Sequence, residues 1–219
     1  MAFAAVGIVA LSPLWVIITI AIRLTSAGPA FFRQSRVGFR RRIFQLVKFR
    51  TMVTDADSQG AMVTARGDSR ITPIGQILRR TKLDELPELW NVLIGDMSLV
   101  GPRPEVTKYV AGYKPEWEAV FSVRPGITDL ATLQFRDEEE VLSYAIDLEQ
   151  SYRDVVLPIK ISLAMEFIRK QSVRLYFKIL FLTLWSITFG RVLAKPDRAL
   201  ADKAILLIRN GRDIRENNN

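Results

Sequence analysis

Asp84 and Glu85 are adjacent acids in a chain of 219 residues that contains no histidine and no cysteine. Without histidine there is no common general base, no imidazole metal ligand and no Ser-His or Cys-His nucleophile pair. Without cysteine there is no disulfide framework, thiolate nucleophile or zinc-thiolate site, which fits a reducing compartment. Any catalysis must be run by carboxylates, Lys, Arg, Tyr, hydroxyls or a hard cation held through oxygen. An isolated acid pair at a helix start is ordinarily solvated and merely favours the helix dipole. Here Lys48, Arg50, Arg79, Arg80, Lys82 and Arg103 flank segments that can converge on the pair. Carboxylates among many cations suit phosphoryl chemistry.

The elements that must position these residues follow from local signals. Thr72-Pro73 has the form of an N-cap with a proline at the first helical position, which predicts a helix through Gln76, Ile77, Leu78 and Arg79. Pro87 suits another first turn, so a second helix is expected over 86–94 with Gly95 as its stop and the acid pair just before it. Loose alternation over 33–52 predicts a hairpin turning at Gly38-Phe39, with Lys48 on its second strand. Residues 97–100 are expected as a short strand, Gly101-Pro102-Arg103-Pro104 as a stiff loop that gives Arg103 little freedom, and Arg124-Pro125-Gly126 as a turn. Helical spacing covers 105–113, 138–150 and 155–170. The apolar run 175–190 makes ~24 Å of helix at ~1.5 Å per residue, suited to lying in a membrane interface or to a core. The tail over 210–219 is polar and expected to fray. The whole reads as mostly α with a small β element, an α+β fold.

Residues 1–22 carry no charge, and as a helix they would extend ~33 Å, about the thickness of a bilayer's hydrocarbon core. Ser12-Pro13 interrupts this run at its midpoint. Two half-helices of about eleven residues are each too short to span. The segment is therefore either a kinked transmembrane helix or a re-entrant hairpin broken at Ser12-Pro13, with the Ser12 hydroxyl helping to satisfy the broken turn. Eight basic residues and no acid precede Asp55, while the remaining 23 basic and 23 acidic residues balance. The net charge of +8 thus sits beside the apolar run, which favours anionic membrane lipids as partners and no nucleic acid.

Residues 82–104 read KLDELPELWNVLIGDMSLVGPRP. This stretch resembles the signature of the bacterial sugar transferases, the monotopic phosphoglycosyl transferases that act on polyprenyl phosphate. The resemblance extends through Ser12-Pro13, FRQSRVG (32–38), KFRTM (48–52), Arg79 and VRPGIT (123–128), covering roughly the first 130 residues. It implies an enzyme of the bacterial inner membrane, working at the cytoplasmic face, with a re-entrant helix over 1–28, a catalytic domain with interfacial amphipathic helices over 29–196 and a polar tail over 197–219. It further implies that Asp84 attacks the β-phosphate of a UDP-sugar, releasing UMP, and that polyprenyl (undecaprenyl) phosphate then takes the sugar phosphate from the carboxylate. Glu85 completes the catalytic dyad, holding Mg²⁺ together with Asp84 or orienting the nucleophile. Lys48, Arg79 and Arg103, with Arg124 in a lesser part, bind phosphate. The lipid-linked product would begin assembly of an O-antigen, capsule, exopolysaccharide or glycoprotein glycan. A homodimer is compatible with all of this.

Two departures stand out. The family carries a basic and aromatic stretch before the re-entrant helix, whereas this sequence begins inside the apolar run. After PGIT the family has Gly-Leu-Ala-Gln, while here Asp129 takes the place of the glycine. An acid at that place is expected to alter sugar selection or a loop contact. The rival from another class is a membrane-tethered lipid-binding scaffold without catalysis, for which Asp84→Asn would change nothing. A polytopic transferase is disfavoured by the shortage of apolar segments.

Overall fold

A computed structural model describes residues 1–56, 60–134, 138–188 and 199–216. The apolar N-terminal run forms one helix, α1 (Ala2–Thr25), with Pro13 inside it. Among the described residues it is the one helix long and apolar enough to cross a membrane. Pro13 lacks the N–H that would reach the carbonyl of Val9. The Ser12 hydroxyl donates to that carbonyl instead, at 2.8 Å. The helical backbone thus runs on through Ser12-Pro13, the break from which the kinked and the re-entrant alternatives were both drawn, because one side chain fills the gap that the proline leaves.

β1 (Phe31–Val37) and β2 (Ile43–Phe49) form an antiparallel hairpin running from Phe31↔Phe49 to Val37↔Ile43. It closes through a 3₁₀ turn at Phe39–Arg41, where the expected reversal falls. Arg40 and Arg41 both take positive φ there, 53° and 59°, a conformation that costs a side-chain-bearing residue ~1–2 kcal/mol. Arg41 is fixed by an ion pair with Glu118 and by stacking on the Phe121 ring.

α1 lies lengthwise against this hairpin and against α2 (Pro73–Thr81) and α3 (Glu88–Leu93). Near one end Ala4 packs with Phe44, Leu46 and Val92; toward the other Ile18 and Ile22 pack with Phe49 and Leu78. The opposite face of α1 is exposed and apolar, with Phe3, Val6, Val9, Val16, Ile17, Ile20 and Leu24.

β3 (Ser98–Val100) pairs in parallel with β4 (Gly126–Thr128). β4 corrects the expected turn at Arg124-Pro125-Gly126. A three-residue strand whose partner is far along the chain leaves no local signal. Gly101 and Gly126 are backed so closely that a Cβ on Gly126 would run into the Gly101 backbone. The helix expected over 105–113 shrinks to α4 (Thr107–Val110), since Glu105 bridges to Val37 instead.

The remainder is helical. After α5 (Leu130–Gln134), the single helix expected over 138–150 is two, α6 (Glu138–Leu142) and α7 (Leu148–Ser151), because Asp147 caps α7 by accepting from the N–H of Gln150. A π-helical turn at Tyr152–Val156 leads into α8 (Leu157–Arg169), followed by α9 (Val173–Thr188). α9 divides the two expectations for its segment: Ile179 is buried with Val100 and Phe167, while Val173, Phe177 and Phe181 are exposed. Within the stretch expected as a polar tail from 197 lies a helix, α10 (Ala199–Glu216), whose Ala201, Ala204 and Ile208 join the large apolar cluster around Leu142, Tyr152 and Leu157. The expected boundary at 196/197, the end of the 175–190 segment and residues 217–219 lie outside the described residues.

Candidate active site

Three connections aim the acid pair inward. The Thr72 side chain caps α2 by accepting from the N–H of Gly75 at 3.1 Å, and Gly75 lies so close to the Thr51 carbonyl that no Cβ fits. That contact seats α2 on the chain just beyond β2. α2 then ends at Lys82, whose left-handed conformation, φ 60°, swings the chain into a 3₁₀ turn at Leu83–Glu85. The acids therefore lie within that turn, between α2 and α3. Asn91 of α3 closes the free edge of β2, accepting from the N–H of Val47 at 3.1 Å and donating to the carbonyl of Gln45 at 2.7 Å. Strand alternation puts Lys48 on the same face as Phe44 and Leu46, toward the acids.

The outcome is a buried charge cluster. Lys48 Nζ donates to Glu85 Oε1 at 2.9 Å and lies 3.2 Å from Glu88 Oε1. Arg103 donates to the same oxygen of Glu85 at 2.5 Å. Asp84, 8% exposed, is differently placed: its Oδ1 is buried without a hydrogen-bond partner.

The electrostatics separate the three acids. Burial pushes the Asp84 carboxyl above the usual range, and the neighbouring charge of Glu85 adds to it, against Lys48, Lys82 and Arg79. Burial acts on Glu85 in the same direction, but Arg103 and Lys48 outweigh it and hold the group well below the usual carboxylate range. Glu88 is pushed up to about 7, chiefly by burial and further by Glu85, with Lys48 opposing.

No group of three or more acidic side chains among the described residues converges as a ready-made cation site. The partnerless Oδ1 of Asp84, beside the buried carboxylate of Glu88, nevertheless fits Mg²⁺, which takes one or two carboxylates and completes its shell with substrate phosphates and water. On the opposite face of the hairpin, a groove of about 370 Å³ is bounded by Trp15, Phe31, Arg33, Val47, Trp90 and Ile94.

The sequence model of the bacterial sugar transferases matches residues 1–190. The chain belongs to that family. It is similar to an undecaprenyl-phosphate glucose phosphotransferase of Komagataeibacter xylinus, 41% identical over 191 residues, covering 84% of this chain and 34% of that protein. A UDP-glucose:undecaprenyl-phosphate glucose-1-phosphate transferase of Caulobacter vibrioides is 47% identical over 126 residues, 56% of this chain and 47% of that one. A UDP-N-acetylgalactosamine-undecaprenyl-phosphate N-acetylgalactosaminephosphotransferase of Aeromonas hydrophila is 36% identical over 190 residues, 85% of this chain and 42% of its own length. The chain thus spans between a third and a half of the length of these relatives.

Within this family member, Lys48, the Asp84-Glu85 pair and Arg103 come together from three separate stretches of sequence. Arg79 does not join them directly: it donates to Thr51 Oγ1 at 2.9 Å and to Glu139 Oε1 at 2.6 Å, while its charge still acts on Asp84. Arg124 is exposed and stands outside the cluster. Ser12 serves the helix interior of α1. Two participants escaped the sequence reading, Glu88 and Asn91. Both are buried, at 1% and 0% exposure. The signal for Glu88 was its spacing, three and four residues beyond Glu85 and Asp84, which returns a side chain to the same side of a helical turn.

Proposed function

We propose that the chain transfers a sugar 1-phosphate from a UDP-sugar to polyprenyl phosphate, through a sugar phosphate held covalently on Asp84. One observation carries this reading. Of two adjacent buried acids, Glu85 is committed to Lys48 and Arg103, whereas Asp84 keeps an oxygen with no partner. A carboxylate needs no base to act as a nucleophile, provided that its charge and that of the phosphate it attacks are both screened.

In the first step, that oxygen attacks the β-phosphorus of the donor. The bond from this phosphorus to the bridging oxygen breaks, its electron pair leaves with UMP, and the sugar phosphate remains on Asp84 as an acyl phosphate, a mixed anhydride. Lys48 and Arg103 meet the charge that accumulates on the phosphoryl oxygens, with Arg103 suited to paired contacts. Glu85 holds these two cations beside the nucleophile. In the second step, an oxygen of polyprenyl phosphate attacks the same phosphorus and the Asp84 carboxylate leaves unchanged. Asp84, with Glu85 or Glu88, would hold Mg²⁺ when bound, which would supply neutralisation of the diphosphate charge. Arg79 and Arg124 contribute positive field at longer range.

The packing of α1 supports a membrane anchor that enters and leaves on the same, cytoplasmic face. Both ends of α1 rest on the hairpin and helices that carry Lys48, Glu85 and Glu88. A spanning orientation would drag this charge cluster to hydrocarbon depth, at high cost. Held along the surface instead, the exposed apolar faces of α1 and α9 meet lipid while the basic N-terminal quarter meets anionic headgroups. The lipid-linked sugar phosphate would then start glycan assembly at the inner membrane.

The test is intact mass. Purified protein given UDP-glucose or UDP-N-acetylgalactosamine with Mg²⁺, and no acceptor, gains the mass of one sugar phosphate and releases one equivalent of UMP; Asp84→Asn does neither. Ordinary UMP release by Asp84→Asn would overturn the covalent route.

A further inference from the structure

The loop that carries Arg103 is pinned by its backbone, and one of the pins is a side chain. Pro102 and Pro104 have no N–H to offer. Gly101 and Arg103 therefore hold the only backbone donors between 101 and 104. The N–H of Gly101 is taken by the carbonyl of Thr128 at 3.0 Å, a strand-type contact. The N–H of Arg103 is taken by Asp129 Oδ2 at 3.2 Å. On the acceptor side, the carbonyl of Pro102 receives the N–H of Gly126 at 3.0 Å, and that of Pro104 receives the Arg36 guanidinium at 2.9 Å. Asp129 is 3% exposed, and its other oxygen, Oδ1, accepts from the N–H of Thr132 at 2.6 Å at the start of α5.

We propose that Asp129 is a positioning residue for Arg103: its carboxylate joins the loop backbone to the start of α5 and so fixes the direction from which the guanidinium reaches Glu85. This rests on the phosphoglycosyl transfer reading above. The backbone accounting supports it, since a residue without a side-chain acceptor at 129 leaves the Arg103 N–H unbonded under a buried loop. The consequence reaches the nucleophile. If Arg103 drifts, Glu85 keeps Lys48 alone, and one of the two cations held on Glu85, next to Asp84 in the chain, is lost. Gly-rich packing elsewhere in the loop, at Gly101 and Gly126, excludes bulk but supplies no acceptor for this donor.

Asp129→Ser separates the two bonds. Serine still caps α5 through Thr132, but its shorter side chain does not reach both donors. Two measurements read the result. Hydrogen exchange of a peptide spanning 102–104 reports a single backbone amide, that of Arg103, and is expected to speed up about tenfold in Asp129→Ser. UMP release in the donor-only reaction is expected to fall about tenfold, mostly through a higher KM for UDP-sugar, and this fall is expected to disappear when Arg103 is already Lys. Unchanged exchange at Arg103 overturns the proposal, as does an equal loss of activity in the Arg103 and Arg103→Lys backgrounds, which would mark Asp129 as a helix cap only. Should Asp129→Ser not fold, Asp129→Asn gives the same readouts, because its amide offers an acceptor to one of the two N–H groups and not to both. Exchange at Arg103 reads the clamp with no substrate present, so a failure of the transferase reading itself, seen as no adduct on the unaltered protein, stays distinguishable.

Discussion

Glu88→Gln is expected to make the protein more stable above neutral pH and to change little in acid. Glu88 is 1% exposed, and burial raises its carboxyl from 4.5 to about 7 even with Lys48 at 3.2 Å. At ~1.36 kcal/mol per pKa unit, that gap is worth about 3 kcal/mol. The sign follows from proton counting. Between 4.5 and about 7 the folded chain keeps a proton that the unfolded chain has released, so stability falls as pH rises through this window. The full cost of ionising Glu88 is present above about 7 and nearly absent at 4.5. Glutamine has the same shape and never ionises, and Lys48 retains Glu85 as its partner. For a chain of this size ~2–4 °C of Tm accompanies each kcal/mol, so the gain is roughly 6–12 °C at pH 8. Thermal unfolding in detergent micelles at pH 4.5, 6 and 8, parent against Glu88→Gln, gives the answer. A difference that stays constant across this range, or a less stable variant at pH 8, would refute the reasoning.

Two further outcomes are expected. Asn91→Leu strips the partners from the N–H of Val47 and the carbonyl of Gln45; at ~1–3 kcal/mol for each buried group left unpaired, its Tm falls by at least ~4 °C at every pH, read by the same unfolding assay. Chelation of Mg²⁺ brings UMP release to background and re-addition restores it. The Tm of the donor-free protein moves little on chelation, because Glu85 already has Lys48 and Arg103.

Part of the site was legible because its signals are local. The Thr72-Pro73 cap and the hairpin reversal near Gly38 each follow from a few neighbouring residues, and each is found where expected. Glu88 was hidden because its neighbours look like an ordinary amphipathic helix start; only the fold reveals that nothing solvates it. The role of Asp129 was hidden for the same reason, since its partner in the loop is 26 residues away.

The sequence by itself determined which chemistry is available. With no histidine or cysteine, it excluded imidazole and thiolate chemistry, and acids set among lysines and arginines behind an apolar run pointed to carboxylates and phosphate beside a membrane. It also determined the family, through motifs long enough to leave little room for chance. Tertiary structure alone decided the division of labour between the acids. Burial raises every carboxyl in the cluster, and which of them becomes charged, neutral or free depends on where Lys48 and Arg103 arrive from distant strands and loops. Spacing along a chain does not encode that, because desolvation and ion pairing are sums over neighbours in space.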